Sequence, residues 1–310
     1  MDCSFSIAVK LTSDIFQSDI SLKGFFAMHQ RVAAINDLSG LGRCSLTADI
    51  AVLAAMGLEC CPLPTAVLTT QTGYPDYRCV SFTGHMEDYR QHWLQLGVSF
   101  SGILSGYLAT PEAADQVEAF LDTFQKPGTL YLCDPVLGDN GHVYRGFTDA
   151  SIEAMGKLAR RADILTPNLT EFCILTGTDM EPLFQLGRTD AQALFRALQE
   201  KALLFKGKKF IITGIPHSSL SGEHLVTNLV LDGEKAVPVT FPHLGGTYSG
   251  TGDLFAAILL GSQLQGRSLE RGAQLAGELI GKAIRSSKAE GTPGNDGVNY
   301  EPYLSLLGKE

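Results

Sequence analysis

The chain has 310 residues, 45% of them hydrophobic and 18% charged, an ordinary soluble globular composition with material for a large core. Its net charge of −9 argues against a nucleic-acid-binding or anionic-membrane surface, so an anionic ligand must be held by local donors and metal ions. Seven cysteines, odd in number and without zinc-ligand spacing, read as reduced thiols of a cytoplasmic protein, and no apolar run reaches membrane-spanning length.

Residues 1–27 carry a short apolar stretch, Phe5 to Val9, broken by Lys10, Asp14 and Asp19, so no signal-peptide core forms. We expect them to lie outside the fold as an extension from an upstream start codon, because Met28 stands just before the first convincing strand. From there the expectation is one domain, residues 28–310, of α/β class.

The predicted elements alternate. Arg31–Ile35 is a strand, and Ser45–Met56 is a helix ended by Gly57. Cys60–Val67 is a strand interrupted by Pro62 and Pro64, and Tyr89–Leu96 is helical. Gly102–Leu104 is a strand, and Pro111–Phe124 is a helix with proline in its first turn. Thr129–Cys133 is a buried strand stopping at Asp134-Pro135. Ser151–Arg160 is helical, Ile164-Leu165 a short strand, Thr170–Thr176 a helix, Asp190–Phe205 a long helix and Lys209–Thr213 a strand. Leu225–Leu231 and Ala236–Val239 around Asp232-Gly233 form an antiparallel hairpin, followed by helices over Gly252–Gln263 and Leu269–Ser286 and a short terminal helix over Tyr300–Leu307. Such alternation points to parallel βαβ units.

Ligands of open α/β sheets bind beyond the carboxyl ends of the strands, so the polar residues there are the ones that matter. They are Asn36-Asp37, the segment Thr69 to Tyr74, Ser105-Gly106-Tyr107, Asp134 to Asp139, Thr166 to Glu171 and Thr213-Gly214. The most informative stretch is Gly250-Thr251-Gly252-Asp253 running into a wholly apolar helix. Two glycines bare the backbone, and a helix start offers unpaired N–H groups and partial positive charge, so the segment can hold a phosphate. A carboxylate beside a bound phosphate is electrostatically costly unless it accepts the proton of an attacking hydroxyl. Read alone, Asp253 is equally a plain helix-start residue. No P-loop, no Gly-x-Gly-x-x-Gly after the first strand and no Gly-x-Ser-x-Gly elbow occurs, which counts against Walker ATPases, dinucleotide oxidoreductases and α/β-hydrolases.

Taken in order, Asp134-Pro135-Val136-Leu137-Gly138-Asp139, Thr166-Pro167-Asn168 with Glu171, and Gly250-Thr251-Gly252-Asp253 resemble the motif set of the ribokinase superfamily, in its vitamin kinase branch. Thr72-Gly73-Tyr74 and Ser105-Gly106-Tyr107 narrow the resemblance to pyridoxal (vitamin B6) kinases, over about residues 31 to 286. The resemblance implies a ribokinase-like three-layer α/β/α sandwich with a mostly parallel central sheet. It also implies transfer of the ATP γ-phosphoryl group to the 5′-hydroxymethyl of pyridoxal, pyridoxine or pyridoxamine, with Mg²⁺ and a monovalent cation such as K⁺ as cofactors. Its partners are then the B6 vitamer and ATP, and its state a homodimer.

By the same resemblance Asp253 is the catalytic base, and the N–H groups of Gly250, Thr251 and Gly252 form the anion hole, Thr251 also touching ATP. Asn168 and Glu171 order Mg²⁺ and the phosphates. Asp134 stands near the metal, Asp139 and Thr213 face ATP, and Thr72 and Tyr107 line the pyridine pocket. Plainer readings stand beside these: Asn168 and Glu171 also fit a capping box, Asp134 an Asp-Pro turn, Asp139 a turn before Asn140-Gly141, and Thr72 and Tyr107 a loop residue and a core-edge aromatic. His142, Tyr144 and Arg145 fit either a lid over ATP or an ordinary surface loop.

One position departs from the pattern. Asp37 stands where pyridoxal kinases of the animal and proteobacterial kind carry a serine, and Asp37-Leu38-Ser39-Gly40 resembles the hydroxymethylpyrimidine kinases of thiamin synthesis. A carboxylate there can pair with a protonated ring nitrogen or a ring hydroxyl. Hydroxymethylpyrimidine kinase activity, or a non-catalytic vitamin-binding protein on the same fold, are therefore the alternatives. Gly138-Asp139-Asn140-Gly141-His142 carries no cysteine, so no thiohemiacetal with the pyridoxal aldehyde is expected, and Cys133 is expected as a buried strand residue.

Overall fold

The computed structural model describes residues 30–219 and 221–308, so the expected extension, residues 1–27, lies outside the described residues. Among the described residues the strands are β1 (Arg31–Ser39), β2 (Glu59–Leu68), β3 (Cys79–Ser81), β4 (Gly102–Ser105), β5 (Leu130–Cys133), β6 (Gly138–Asp139), β7 (His142–Val143), β8 (Ile164–Leu165), β9 (Lys209–Ser218), β10 (His224–Asp232) and β11 (Lys235–Pro242). The helices are α1 (Ser45–Ala55), α2 (Thr83–Gln95), α3 (Pro111–Phe124), α4 (Asp149–Arg161), α5 (Leu169–Thr176), α6 (Met180–Thr189), α7 (Ala191–Ala202), α8 (Thr251–Leu264) and α9 (Leu269–Glu290).

A nine-stranded sheet runs in the order β11-β10-β9-β8-β5-β4-β1-β2-β3. From β9 through β2 every neighbouring pair is parallel, whereas β10, β11 and β3 attach antiparallel at the margins. The strands are apolar on both faces, as a sheet covered on both sides requires. Alternation along each strand sorts the side chains: Ala33, Ile35, Ile103, Tyr131, Cys133, Phe210 and Ile212 enter one core with α2 to α7. Val32, Leu104, Leu132, Ile164 and Ile211 enter the other with α1, α8 and α9. The expected three-layer sandwich is therefore what the chain adopts, with Cys133 buried in the first core.

The pattern-based elements hold with informative exceptions. β1 continues past Ile35 to Ser39, and its register against β2 slips between Asn36 and Leu38. That irregularity re-aims the side chains at the strand end. β2 is unbroken despite Pro62 and Pro64, because β3 pairs only with Ala66 to Leu68 and leaves the proline segment as an edge. Helix α2 starts six residues earlier than the apolar pattern indicates, at Thr83; the sequence reading placed no element over α6, an amphipathic helix that contains Pro182 and Gly187, or over the two-residue strands of the β6–β7 hairpin.

The chain leaves β1 for β2 on one flank and later returns to β4 on the other. β1 and β4 therefore bound a topological switch point, where an open sheet forms a crevice beyond its carboxyl ends.

Candidate active site

Asn36 occupies that crevice and is almost wholly buried. Its Oδ1 accepts the backbone N–H groups of Asp37 (3.0 Å) and Tyr107 (2.9 Å). Its Nδ2 donates to Asp253 Oδ1 (3.0 Å) and Asp49 Oδ2 (3.2 Å). The neighbouring strand end allows this only because residue 106 is glycine, since a Cβ there would stand 2.5 Å from Asn36 Nδ2. Asp37, 4% exposed, accepts the Ser39 hydroxyl at 2.8 Å. Tyr107 is half-buried nearby, its ring edge-on to Phe147 at 5.9 Å.

Opposite them stands the start of α8. Gly250 is its N-cap, with φ 82° and no side-chain cap, so the first-turn N–H groups are left to a ligand. Thr251 turns its hydroxyl to Tyr248 O at 3.3 Å. A Cβ on Gly250 would lie 2.0 Å from Arg43 O, which shows how closely this turn is pressed on the loop entering α1. That loop ends at Ser45, a non-glycine residue at φ 52°, whose backbone N–H is directed to Asp253. Strain of this kind is held in place by surrounding structure and concentrates at functional sites. The C-terminal segment braces both loops: Ser249 donates to Gly294 O (3.0 Å), Arg43 N–H to Asp296 O (3.1 Å) and Gln71 Nε2 to Asn295 O (3.1 Å).

Asp134, at the end of β5, is 7% exposed and accepts the Thr166 hydroxyl at 3.0 Å. Its Oδ2 would stand 3.6 Å from a Cβ on Gly252, so it faces the α8 turn. Asn168 and Glu171 form the capping box that their spacing allows. Glu171 Oε2 accepts Asn168 N–H (2.9 Å) and Oε1 accepts Leu137 N–H (3.1 Å), while Asn168 Nδ2 donates to Gly138 O (2.7 Å). The pair thus welds α5 to the loop after β5. Thr213 pairs with Asn168 in an isolated parallel bridge.

Other sequence candidates stand less centrally. The Asp139 carboxylate folds onto its own turn, accepting Asn140 N–H (2.8 Å) and Nδ2 (2.9 Å). Thr72 is exposed, in a loop whose neighbour Gln71 makes the buried contacts. His142, Tyr144 and Arg145 are exposed on and after the β6–β7 hairpin, tied to α5 by Gly141 N–H donating to Thr170 Oγ1 at 2.8 Å. At the other end of the loop leading from β11 to Gly250, a cleft of about 380 Å³ opens between Phe241, Pro242, Leu244, Gly277, Gly281 and Arg285.

The electrostatics are those of an acidic basin. Burial pushes the carboxyls of Asp37, Asp49, Asp134 and Glu171 upward, and neighbouring carboxylates raise the last three further. Burial raises Asp253 to about 6, against the bonds from Ser45 N–H and Asn36 that favour its charged form. Among the described residues no cluster of three or more His, Cys, Asp or Glu side chains forms a metal cage. Hard carboxylate oxygens without a cage fit Mg²⁺ that arrives with phosphates and keeps part of its water shell.

Sequence reasoning placed Asn36 at a strand end that matters but gave it no role, and it missed Ser45, Asp49 and the cleft beside Phe241. Asp49 did leave a signal, the single charged residue within the apolar run Ser45–Met56. The others depend on a strand irregularity and on chain segments far apart in sequence.

The family model for phosphomethylpyrimidine kinase matches residues 42–299. A pyridoxine/pyridoxal/pyridoxamine kinase of Bordetella avium is 29% identical over 247 residues, covering 76% of this chain and 78% of the relative. A Bacteroides thetaiotaomicron protein, described as a candidate phosphomethylpyrimidine kinase and crystallised with pyridoxal, is 35% identical with a TM-score of 0.77, covering 90% of this chain and 95% of that one. Pyridoxal kinase from Lactobacillus plantarum is 27% identical with a TM-score of 0.77, covering 91% and 97%.

Proposed function

The chain belongs to the phosphomethylpyrimidine kinase family, and from that premise we propose that it transfers the γ-phosphoryl group of ATP to the 5′-hydroxymethyl group of pyridoxal, pyridoxine or pyridoxamine. The observation that carries the reading is Asp253. Its carboxylate sits in the first turn of α8, held by Asn36 and Ser45, beside N–H groups left free for an anion. A base raised to about 6 is largely ionised at neutral pH yet retains proton affinity, which suits it to take the proton of an attacking alcohol. The Gly250, Thr251 and Gly252 N–H groups face the charge that develops on the transferring group. Phosphoryl transfer asks chiefly for such positioning and charge stabilisation.

The vitamer ring belongs in the β1/β4 crevice. There Asp37 accepts from its hydroxyl or protonated nitrogen, Tyr107 borders it and the Thr72 loop covers it. ATP lies along the α8 turn toward Asn168, Asp139 and Thr213, and its base fits the cleft beside Phe241 and Arg285. Asp134, and Glu171 through water, would hold Mg²⁺ on the phosphates, supplying the positive charge that this basin lacks; K⁺ would offset remaining carboxylate charge. The names of the Bordetella and Lactobacillus relatives and the pyridoxal in the Bacteroides crystal favour a B6 vitamer. The Asp37-Leu38-Ser39-Gly40 segment and the family description keep hydroxymethylpyrimidine as the second reading.

We further read residues 28–310 as one kinase domain of a cytoplasmic homodimer. Supporting this are the free cysteines, the absence among the described residues of any helix long and apolar enough to cross a membrane, and the exposed Val67 and Val80 on the outer β2–β3 edge. A coupled ADP-release assay with each vitamer and with hydroxymethylpyrimidine tests the function. Saturable turnover of a B6 vitamer is expected. Higher kcat/KM for the pyrimidine would establish the second reading, and no transfer to any would leave a binding protein.

A further inference from the structure

Asp49 is a buried acid that the chemistry above does not use. It projects from α1 with 0% exposure, and its Oδ1 is buried without a hydrogen-bond partner. The groups facing it are Asn36 and Asp37 from β1, Asp253 from α8, Asp134 beyond β5, Cys60 from β2 and Tyr300 near the C-terminus. None of these is a cation. Burying a carboxyl in such a place costs free energy that an apolar side chain of similar size would not.

What it does is visible at Asn36. The amide of that residue has two hydrogens and two lone-pair directions, and all four are used. Oδ1 takes two backbone N–H groups, and Nδ2 is divided between Asp253 Oδ1 and Asp49 Oδ2. Turning the amide over would set its oxygen against both carboxyls and its NH₂ against both N–H groups. Gly106, where a Cβ would collide with the amide, closes the remaining space. We propose that Asp49 is a positioning residue: by sharing the Asn36 Nδ2 group with Asp253 it fixes that amide, and so sets the orientation of the Asp253 carboxylate toward the attacking hydroxyl. This deepens, and rests on, the reading of Asp253 as the base. Burial and the neighbouring carboxylates raise the Asp49 carboxyl well above its ordinary range, and an asparagine at position 49 offers Asn36 a carbonyl acceptor of the same size.

The test compares Asp49→Leu, Asp49→Asn, Asn36→Ala and the double variant Asn36→Ala/Asp49→Leu by steady-state kinetics with pyridoxal and ATP. Losing one buried partner of this bond should lower kcat of Asp49→Leu about ten- to hundredfold. Both KM values should stay within about twofold, because neither substrate touches Asp49. Asp49→Asn should recover most of that turnover, and the double variant should be no slower than Asn36→Ala alone, as expected when one residue acts through the other. Asp49→Ala takes the place of the leucine variant if that protein does not fold. Wild-type kcat in the apolar variant would show that Asp49 merely fills space and would overturn the proposal. So would an asparagine variant as slow as the leucine one, or losses that multiply in the double variant. Asp253→Asn, assayed alongside, separates the two levels: if it turns over like wild type, the base reading itself fails, whatever Asp49 does.

Discussion

Replacing Gly250 by alanine probes the turn on which the anion cradle is built. Gly250 has φ 82°, a conformation that costs an L-residue with a side chain about 1 kcal/mol or more. The added Cβ would stand 2.0 Å from Arg43 O and 2.9 Å from both Arg43 C and Cys44 Cα. All three are backbone atoms, so no side chain can swing away. Restoring ordinary contact needs a relative shift of more than about 1 Å between the α8 turn and the loop into α1, and overpacking of this kind costs about 1–3 kcal/mol. Together the two terms lower stability by about 3 kcal/mol. The same shift separates the N–H groups of α8 from Ser45, which holds Asp253, and a displacement of this size typically lowers rate about hundredfold. Urea unfolding reads the first effect, and kcat/KM for pyridoxal at saturating ATP reads the second. A Gly250→Ala protein with wild-type unfolding midpoint and turnover would refute the reasoning that this turn must stay bare and closely packed.

Other outcomes follow from the same geometry. Asp134 and Asp253, ordinarily near 3.8, rise to about 7 and about 6 through burial, so the folded state holds protons that the unfolded state releases. Stability from these groups is present at low pH and lost as pH rises through 6 to 7, by about 3 kcal/mol in total between pH 5.5 and 8. Urea midpoints of the ligand-free protein should therefore fall across that range, and a rising midpoint would contradict the burial argument. Turnover should run the other way, because only ionised Asp253 accepts a proton: kcat/KM should fall about tenfold per pH unit below about 6. Asp37→Ala should raise the vitamer KM more than the ATP KM, and equal changes would remove Asp37 from the substrate pocket. Arg285→Glu should raise the ATP KM several-fold with the vitamer KM unchanged; an unaffected ATP KM would take the base out of the cleft beside Phe241.

Much of this architecture was legible in the sequence because its signals are local. The apolar runs Thr129–Cys133 and Lys209–Thr213 became strands, and Asn168 with Glu171 became a capping box. Gly250 became the left-handed cap of an apolar helix. Asp139 shows the limit of such signals, since its turn chemistry alone accounts for its carboxylate. What escaped depends on long-range assembly. Asn36 acquires its role only when β1 runs past Ile35 with an irregular register and meets Gly106 across the sheet. Ser45 acquires its left-handed backbone only when the α8 turn closes on it. The cleft beside Phe241 needs β11 and α9 side by side, with Phe241 against a residue, Gly277, that has no side chain. No periodicity within a short window carries those facts.

The most direct measurement sets nucleotide binding against turnover in Asp253→Asn. Asparagine keeps the shape and can still meet Asn36, but it does not take up a proton from an alcohol. Calorimetric titration with an ATP analogue and vitamer turnover should diverge: Kd within about threefold of wild type, and kcat lower by about a thousandfold. Turnover within tenfold of wild type at unchanged Kd would contradict the assignment of Asp253 as the base.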